Sequence, residues 1–271
     1  MPSRDGAVIM DTGLKHPDRA GILALLEREK IQIASILISH FHRDHIGNIR
    51  VLREQYGATI YYSPLVCALL HAPKAISKLA LNSGYVILPA LAHEPGVELI
   101  KPSDRIVNAA GYDFQILDLP GHASENMGFV TPDGVAYLSD TLLSLDVLHA
   151  LRLPYCENYT QDLQAKQSVL EMAYPMYILA HNGVFADVQE VALANIENMH
   201  QKAAFVENLL EDFTCLDDLT ARFMTVTGAK VNEPRKVQGS RHNLQTILEF
   251  LLEEGRVTIR ARNGYLEYGK A

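Results

Sequence analysis

The chain has few cysteines and no long apolar run, and each of these absences excludes a class of protein. Its 271 residues contain three cysteines, Cys67, Cys156 and Cys215, which are scattered and form no CxxC pair. This pattern is typical of reduced thiols and excludes a disulfide framework or a zinc ribbon. No apolar segment approaches the roughly 20 residues that cross a bilayer, and residues 1–6 lack the apolar centre of a signal peptide. We therefore expect a cytoplasmic protein without a membrane partner.

Positive charge is also scarce, since 24 Lys+Arg stand against 32 Asp+Glu and the formal net charge is −8. Because phosphate recognition relies on positive fields, this balance disfavours nucleic acid as a partner without excluding it. Also absent are the Gly-x-Ser-x-Gly nucleophile elbow, the P-loop and the Rossmann glycine pattern. Covalent catalysis and nucleotide chemistry therefore have no support. With 48% hydrophobic residues, the composition is typical of a globular protein with one large domain and a small appendage.

What the chain does contain is a dense group of metal-capable side chains directly after an apolar run. The run 34–39 predicts a buried strand, and His40, His42, Asp44 and His45 follow it within six residues. Residues two apart on an extended chain point to the same side, so His40 and His42 can present two imidazoles to one ion. Asp44 and His45 are offset toward a second position. Because zinc accepts four or five donors, the group predicts either two metals or one incomplete site.

Other origins of this group are a chance cluster of surface histidines, a tag remnant and a metal-scavenging tract. The group is internal, however, and it follows a strand of β-branched residues that predicts burial. Ligands at the end of a buried strand are held rigidly. The position therefore favours a metal site.

Three further candidate ligands follow later apolar strands. His122, Asp140 and His181 each stand just after a segment with the pattern of a buried strand. Strand and helix patterns alternate through this part of the chain, which predicts a sheet covered by helices. Because residues at the carboxyl ends of strands line one rim of a sheet, these side chains can converge with the group at 40–45.

The motif His40-Phe41-His42-Arg43-Asp44-His45 resembles the HxHxDH signature of the metallo-β-lactamase-fold superfamily. It is preceded by Asp11-Thr12-Gly13 and followed, in the order of that family, by Gly121-His122, Ser139-Asp140 and His181-Asn182. The resemblance covers about residues 5–185 and points to the branch of glyoxalase II and of enzymes like beta-lactamase-like protein 2. It implies an α/β fold of four layers, in which two sheets lie between two layers of helices (αββα).

The resemblance also implies how the ligands are divided. One metal is held by His40, His42 and His122, the other by Asp44, His45 and His181, and Asp140 bridges them. Two divalent metal ions are implied, with zinc as the first candidate and iron or manganese as alternatives. Asp44 and Asp140 are the implied catalytic residues, which orient the nucleophile or accept a proton. Asp11 resembles a residue that orients a ligand histidine.

Two departures from the family pattern stand out. The Gly-Gly that commonly follows the signature is replaced by Ile46-Gly47-Asn48. Only six residues precede Ala7, so the first edge strand is expected to be short or missing. An exposed edge invites pairing, which makes a homodimer a further expectation.

The C-terminal part carries less diagnostic patterns. Helical segments are followed by two short apolar runs around the turn Arg262-Asn263-Gly264, which predicts a hairpin. We expect a metallo-β-lactamase-fold domain over 1–212 and a winged-helix-like module over 213–271. A winged-helix module can bind nucleic acid, but the positive charge of this one is small. We therefore favour a role in packing or dimerisation.

The expected function is a metal-dependent hydrolase that uses a metal-bound hydroxide on a small thioester, lactone or other ester. The alternatives are a phosphodiesterase or ribonuclease, a mononuclear iron oxidoreductase like the persulfide dioxygenases, and a metal-binding scaffold without turnover. The segments 64–105 and 142–160 and the C-terminal module are expected to set substrate specificity. The irregular end of the first segment, through about Asp104, is a candidate lid or substrate wall. Within 142–160, His149 and Tyr155 are candidate substrate contacts. The remaining histidines are expected at the surface or in the core.

Overall fold

Two β-sheets form the centre of the main part of the chain, and helices cover their outer faces. A computed structural model describes residues 2–3, 6–71, 96–181, 183–229 and 232–271. Residues 72–95, which include most of the irregular segment predicted as a candidate lid or substrate wall, lie outside the described residues.

The first sheet has five strands in sequence order, β1 Pro2–Ser3, β2 Gly6–Met10, β3 Ile33–Leu37, β4 Thr59–Tyr62 and β5 Val97–Leu99. Strands β2 to β5 are parallel, whereas β1 is antiparallel to β2. The expected short first strand is confirmed, because β1 has two residues. Strand β5 lies where the sequence predicts an irregular segment. Its Glu98 and Leu99 are exposed, so the sequence here has no buried apolar run that would predict a strand.

The second sheet has six strands in the order β11-β10-β9-β8-β7-β6. They are β6 Ile106–Ala109, β7 Tyr112–Asp118, β8 Met127–Val130, β9 Val135–Tyr137, β10 Met176–Leu179 and β11 Gly183–Phe185. Strand β9 is parallel to β10, and the other neighbours are antiparallel. The turn Pro132-Asp133-Gly134 predicts a hairpin, and β8 and β9 form it. The sequence pattern predicts no strand at β6 or at the three-residue β11.

The helices of the described residues are α1 Asp18–Arg28, α2 Arg43–Ile46, α3 Ile49–Tyr56, α4 Pro64–His71, α5 Leu145–Ala150, α6 Tyr159–Val169, α7 Gln189–Leu209, α8 Leu216–Val226 and α9 Pro234–Glu253. The sequence predicts one helix over 46–56, but the structure divides this region at Gly47 and Asn48. A Cβ on Gly47 would lie 2.5 Å from the Lys15 backbone nitrogen and 2.6 Å from the Gly13 carbonyl oxygen. The buried Asn48 amide donates to the carbonyls of Thr12 (2.7 Å) and Leu14 (2.9 Å). Asn48, which departs from the Gly-Gly of the family pattern, therefore ties the loop after β2 to the segment of candidate metal ligands.

Three buried clusters define the layers of the fold. One lies between the sheets, where Leu37 and Tyr61 of the first sheet meet Phe114 and Phe129 of the second. A second joins the outer face of the first sheet to α1, α3 and α4. A third joins the outer face of the second sheet to α6 and α7. The predicted αββα arrangement is thus confirmed. Among the described helices, none is both long enough and apolar enough to cross a membrane.

The C-terminal elements pack on α6 and α7. After α7, the chain forms β12 Thr214–Cys215, α8, α9, β13 Val257–Arg262 and β14 Tyr265–Lys270, and β14 lies between the other two strands. Their apolar side chains share one cluster with Tyr159 and Leu163 of α6 and Met199 of α7. The predicted hairpin is confirmed. Division of the chain at residue 212 and the winged-helix-like character of the module stay predictions.

Candidate metal centre

The ends of four strands bring the seven candidate ligands together. His40, His42, Asp44 and His45 follow β3, His122 follows β7, Asp140 follows β9 and His181 follows β10. Ligand atoms of His40, His42, His122 and Asp140 lie within 4.8 Å of one another. A second group with the same spacing contains Asp44, His45, Asp140 and His181. Asp140 belongs to both groups.

The first group is a tight set of nitrogens beside one carboxylate. His42 Nδ1 lies 2.9 Å from His40 Nε2 and 2.9 Å from His122 Nε2. His122 Nε2 lies 3.2 Å from Asp140 Oδ2. Of these side chains, His40 and Asp140 are almost completely buried. Three imidazoles and a carboxylate around one point are a donor set for a first-row divalent metal.

The second group is more open to solvent. His181 Nε2 lies 3.3 Å from Asp44 Oδ2 and 3.4 Å from Asp140 Oδ1, and His45 Nε2 lies 3.4 Å from Asp140 Oδ2. The His181 side chain is 37% exposed and that of Asp44 is 34% exposed, against 5% for Asp140. The side of the centre that Asp44 and His181 form is therefore accessible to solvent.

The outer nitrogens of three histidines are engaged, and this sets the direction of their lone pairs. His122 Nδ1 faces the Tyr155 carbonyl oxygen at 3.1 Å, and His45 Nδ1 faces Asp11 Oδ2 at 2.7 Å. Both partners only accept hydrogen bonds, so each Nδ1 carries the proton. The hydroxyl of Ser39 donates to Asp11, so it accepts from His40 Nδ1 at 3.0 Å. In the neutral rings, all three Nε2 lone pairs then point into the centre.

Two observations show that these residues fit a bound cation. His45 Nε2 and Asp140 Oδ1 are buried and have no hydrogen-bond partner among the described residues. Burial, followed by the neighbouring His122, lowers the pKa of His42 to about 3. Burial and the neighbouring histidines also hold the pKa of His40 well below its usual value. Both rings are therefore neutral near pH 7, which is the form that binds metal. Hydrogen bonds to Asp140 and Asp44 raise the pKa of His181 to about 10, and Asp11 raises the pKa of His45 despite its burial, so a cation would displace a proton from these two rings.

Asp11, which follows β2, connects the ligand segment after β3 to strand β9 of the second sheet. Its carboxylate accepts hydrogen bonds from the Ser39 backbone nitrogen (2.8 Å), the Ser39 hydroxyl (2.6 Å), His45 Nδ1 (2.7 Å) and the Tyr137 hydroxyl (2.5 Å). Asp11 adopts a φ of 57° and Ser139, which donates to Ser39, a φ of 52°. Left-handed backbone is costly for residues other than glycine and is concentrated at functional sites. The structure thus places Asp11 where the sequence predicts it, beside a ligand histidine.

Replacing Asp11 with asparagine is expected to weaken metal binding about 10- to 100-fold, because the amide no longer orients His45 as a carboxylate does. Competition with a chromogenic chelator would measure the change. Tyr137→Phe is the matched control, since it removes one donor to the same carboxylate and leaves the contact with His45. Equal affinity in Asp11→Asn and wild type would show that this carboxylate does not support the centre.

A cleft of about 590 Å³ opens onto the centre. Its described lining residues are Leu14, His16, His42, Arg43, Asp44, His122, Asp140, Tyr155, Gly239 and His242. The cleft thus lies between the ligand loops and the first half of α9. Its volume is within the range of pockets for small molecules, roughly 300–1,000 Å³.

The structure separates the two candidate substrate contacts of the 142–160 segment. Tyr155 lines the cleft, and its ring centroid lies 5.2 Å from that of His42. His149 is exposed on α5 and is not among the lining residues described. Sequence reasoning missed His16, His242 and Gly239, because none of them belongs to a motif. Only the packing of α9 brings His242 and Gly239 to the cleft.

The αββα layers and the histidine–aspartate cluster at the strand ends define the class of the protein. Residues 3–177 match the metallo-beta-lactamase superfamily, and the chain belongs to this family. Curated relatives include hydroxyacylglutathione hydrolases of Chromohalobacter salexigens, 27% identical over 142 residues, and Photobacterium profundum, 29% identical over 143 residues. These matches cover 52% and 53% of this chain but only 44% and 45% of the relatives.

Solved structures with the same fold extend over the whole chain. A metallo-beta-lactamase family protein of Thermus thermophilus superposes with a TM-score of 0.74 at 19% identity, over 100% of this chain and 92% of its own. A beta-lactamase domain protein of Burkholderia ambifaria gives 0.72 at 16% identity, over 98% and 84%. At this identity the likeness shows the fold alone. The C-terminal elements are therefore part of an arrangement that other proteins share.

Proposed function

We propose that the protein is a hydrolase with two divalent metal ions that cleaves a small thioester, lactone or other ester. The observation that carries this proposal is the pair of four-ligand groups that share Asp140. A single group would hold one ion. Two groups with a common carboxylate are the arrangement of a two-metal site, in which one ion would polarise the substrate carbonyl and the other would supply the attacking oxygen.

The assignment of ligands follows the two groups. His40, His42 and His122 would hold the first metal, Asp44, His45 and His181 would hold the second, and Asp140 would contribute to both. When bound, the metals polarise the substrate carbonyl and lower the pKa of water so that it attacks at neutral pH. Zinc suits this mixture of imidazole and carboxylate donors, and iron or manganese are the alternatives.

The chain's own carboxylates provide the proton transfer in this proposal. Asp44 lines the cleft and is one-third exposed, so its oxygens can meet both the attacking water and the substrate. Asp44 Oδ2 faces His181 and would hold the metal, so the other oxygen, Oδ1, would accept the proton of the attacking water. The same proton would pass to the departing thiolate or alkoxide as the acyl bond breaks. Asp140 is buried and its oxygens face His122, His45 and His181, which suits a role in holding the centre together.

A small acyl substrate fits the cleft better than a nucleic acid. Among the described lining residues, Arg43 is the one side chain with a permanent positive charge. Nucleic-acid binding relies on many phosphate contacts, and this chain has a net charge of −8. The curated relatives are named hydroxyacylglutathione hydrolases, and an acyl derivative of glutathione is a thioester. We therefore place thioesters first among the candidate substrates.

Removal of metal is expected to abolish hydrolysis and to be reversible. We expect inductively coupled plasma mass spectrometry to find two metal ions per chain in a purified sample. Dialysis against a chelator should reduce the turnover of a thioester panel at least about a thousandfold, since metals supply several kcal/mol to the transition state. Zinc, manganese and iron should then be returned one at a time. One iron per chain with oxygen uptake would instead indicate the oxidoreductase alternative.

The salt dependence of turnover separates ester hydrolysis from cleavage of RNA. For a small thioester, kcat/KM is expected to change less than about twofold between 50 and 200 mM salt, because few counterions are released. A ribonuclease with several phosphate contacts would lose affinity by orders of magnitude over the same range. Faster cleavage of RNA than of any thioester or lactone, with a steep salt response, would reject the proposed substrate class.

A further inference from the structure

The two halves of α9 have different environments. The second half is anchored in the C-terminal core, where Leu244, Ile247 and Leu251 are almost completely buried. The described residues of the first half, 234–242, are exposed or half-buried, and two of them line the cleft. The buried half therefore fixes the position of the helix, and in the first half Val237 packs against the same core while Gly239 and His242 face the cleft.

Gly239 lies inside this first half, at a position where glycine is unfavourable. Glycine in a helix interior is less stable than alanine, because it loses more backbone freedom on folding. Apart from its chain neighbours and the nearby backbone of its own helix, no atom of the described residues lies within 4 Å of a Cβ built on Gly239. Packing therefore gives no reason for a glycine here. The position borders the cleft that leads to the metal ligands.

A continuous wall joins Gly239 to the metal centre. His242 lies three residues further along the same helix and also lines the cleft. Its ring stacks on that of Tyr155 with centroids 5.1 Å apart and an interplanar angle of 21°. The Tyr155 ring in turn lies 5.2 Å from His42 and 5.8 Å from His122. His242 Nε2 lies 3.1 Å from the Cys156 carbonyl oxygen, which fixes the ring from the other side.

We propose that Gly239 is a specificity-determining residue. The missing side chain leaves room along α9 for the part of the substrate that lies beyond the scissile bond, so the cleft accepts acyl or thiol groups longer than acetyl. This inference rests on the proposed function, because it takes the metal centre as the place of reaction. A leucine at position 239 would fill the room while leaving every metal ligand in place.

Binding of two metal-chelating probes of different length tests this role without turnover. Acetohydroxamate and octanohydroxamate would be titrated calorimetrically into the metal-loaded protein. Gly239→Leu is expected to weaken octanohydroxamate at least about tenfold and acetohydroxamate less than about twofold, since only the longer chain needs the room beside α9. Gly21→Leu is the matched control, because Gly21 also lies inside a helix, has no atom within 4 Å of its built Cβ and does not line the described cleft.

A second measurement separates this role from packing. Gly239→Ala and Gly21→Ala are each expected to raise Tm by about 2–4 °C, because alanine is the better helix former and both sites are open. A fall in Tm for Gly239→Ala would show that the fold needs this glycine and would overturn the proposal. Equal weakening of both hydroxamates by Gly239→Leu, weakening of neither, or a wild type that binds both equally well would overturn it too.

The failure of the inference and that of the proposed function are distinguishable. A wild type that prefers octanohydroxamate, loses this preference in Gly239→Leu and yet hydrolyses no ester or thioester would reject the hydrolase and keep the role of Gly239 in the cleft. A wild type that hydrolyses thioesters with the same chain-length profile as Gly239→Leu would keep the hydrolase and reject that role.

Discussion

Asp140→Ala is expected to lower kcat/KM at least about a thousandfold and to remove metal from the protein. The reason is its position, since Asp140 is the one residue of the described chain that belongs to both four-ligand groups. Without its carboxylate, each group keeps three ligands, and the mutual repulsion of two cations is no longer offset by the shared negative charge. Metal content per chain and turnover of a thioester would be measured on the same sample.

Asp146→Ala is the matched control for this variant. Asp146 is exposed on α5, six residues after Asp140, and is outside both ligand groups. It should keep the metal content and turnover of the wild type. Thermal unfolding of both variants would show whether the fold is retained. Wild-type turnover and two bound metals in folded Asp140→Ala would contradict the shared-ligand assignment.

Gly121→Ala is expected to cost about 3–5 kcal/mol of unfolding free energy, which combines backbone strain with overpacking. Gly121 has a φ of 122°, and a Cβ there would lie 2.0 Å from the Asp162 backbone nitrogen and 2.2 Å from its Cα. These are backbone atoms of α6, so the clash cannot be relieved by turning a side chain. Urea unfolding would measure the loss.

The same substitution should also reduce metal binding, because Gly121 fixes its neighbour His122. The Gly121 carbonyl accepts hydrogen bonds from the backbone nitrogens of Glu157 (2.8 Å) and Asn158 (3.0 Å). A shift away from α6 would break these bonds and move the imidazole. Gly57→Ala is the control, because Gly57 has a φ of 69° and open space around its built Cβ. It should cost only about 1–2 kcal/mol. Equal losses in the two variants would mean that α6 yields to the new methyl group.

Local sequence carries much of this architecture. The β-branched run before His40 predicts a buried strand, and β3 occupies it with almost no exposure of Ile36 or Leu37. The turn Pro132-Asp133-Gly134 predicts the β8–β9 hairpin, which the structure contains. Such elements are predictable because strand periodicity and turn residues act over a few positions. The sequence pattern does not predict the short strands β5, β6 and β11, because pairing with neighbouring strands, more than local pattern, defines them.

The polar network behind the ligands was only partly predictable. Asp11 is recognisable from its Asp-Thr-Gly motif, and the structure places it 2.7 Å from His45. The roles of Ser39 and Ser139 carry no signal in the sequence, because serine is common in loops. Their hydroxyls lie 2.8 Å apart although they are 100 positions apart in the chain. Contact between the two sheets brings them together.

By itself, the sequence determined the family and the seven candidate ligands, because imidazole and carboxylate groups at strand ends are recognisable from residue type and spacing. The division of these ligands around Asp140 is already implied by the family resemblance, and only the tertiary structure decided that the ligand atoms of each group lie within 4.8 Å of one another. The tertiary structure also decided that Gly239 and His242 of α9 border the cleft. The physical reason is that a ligand's neighbours are set by which strands pair and which helices pack on them, and these contacts join positions that are distant in the chain.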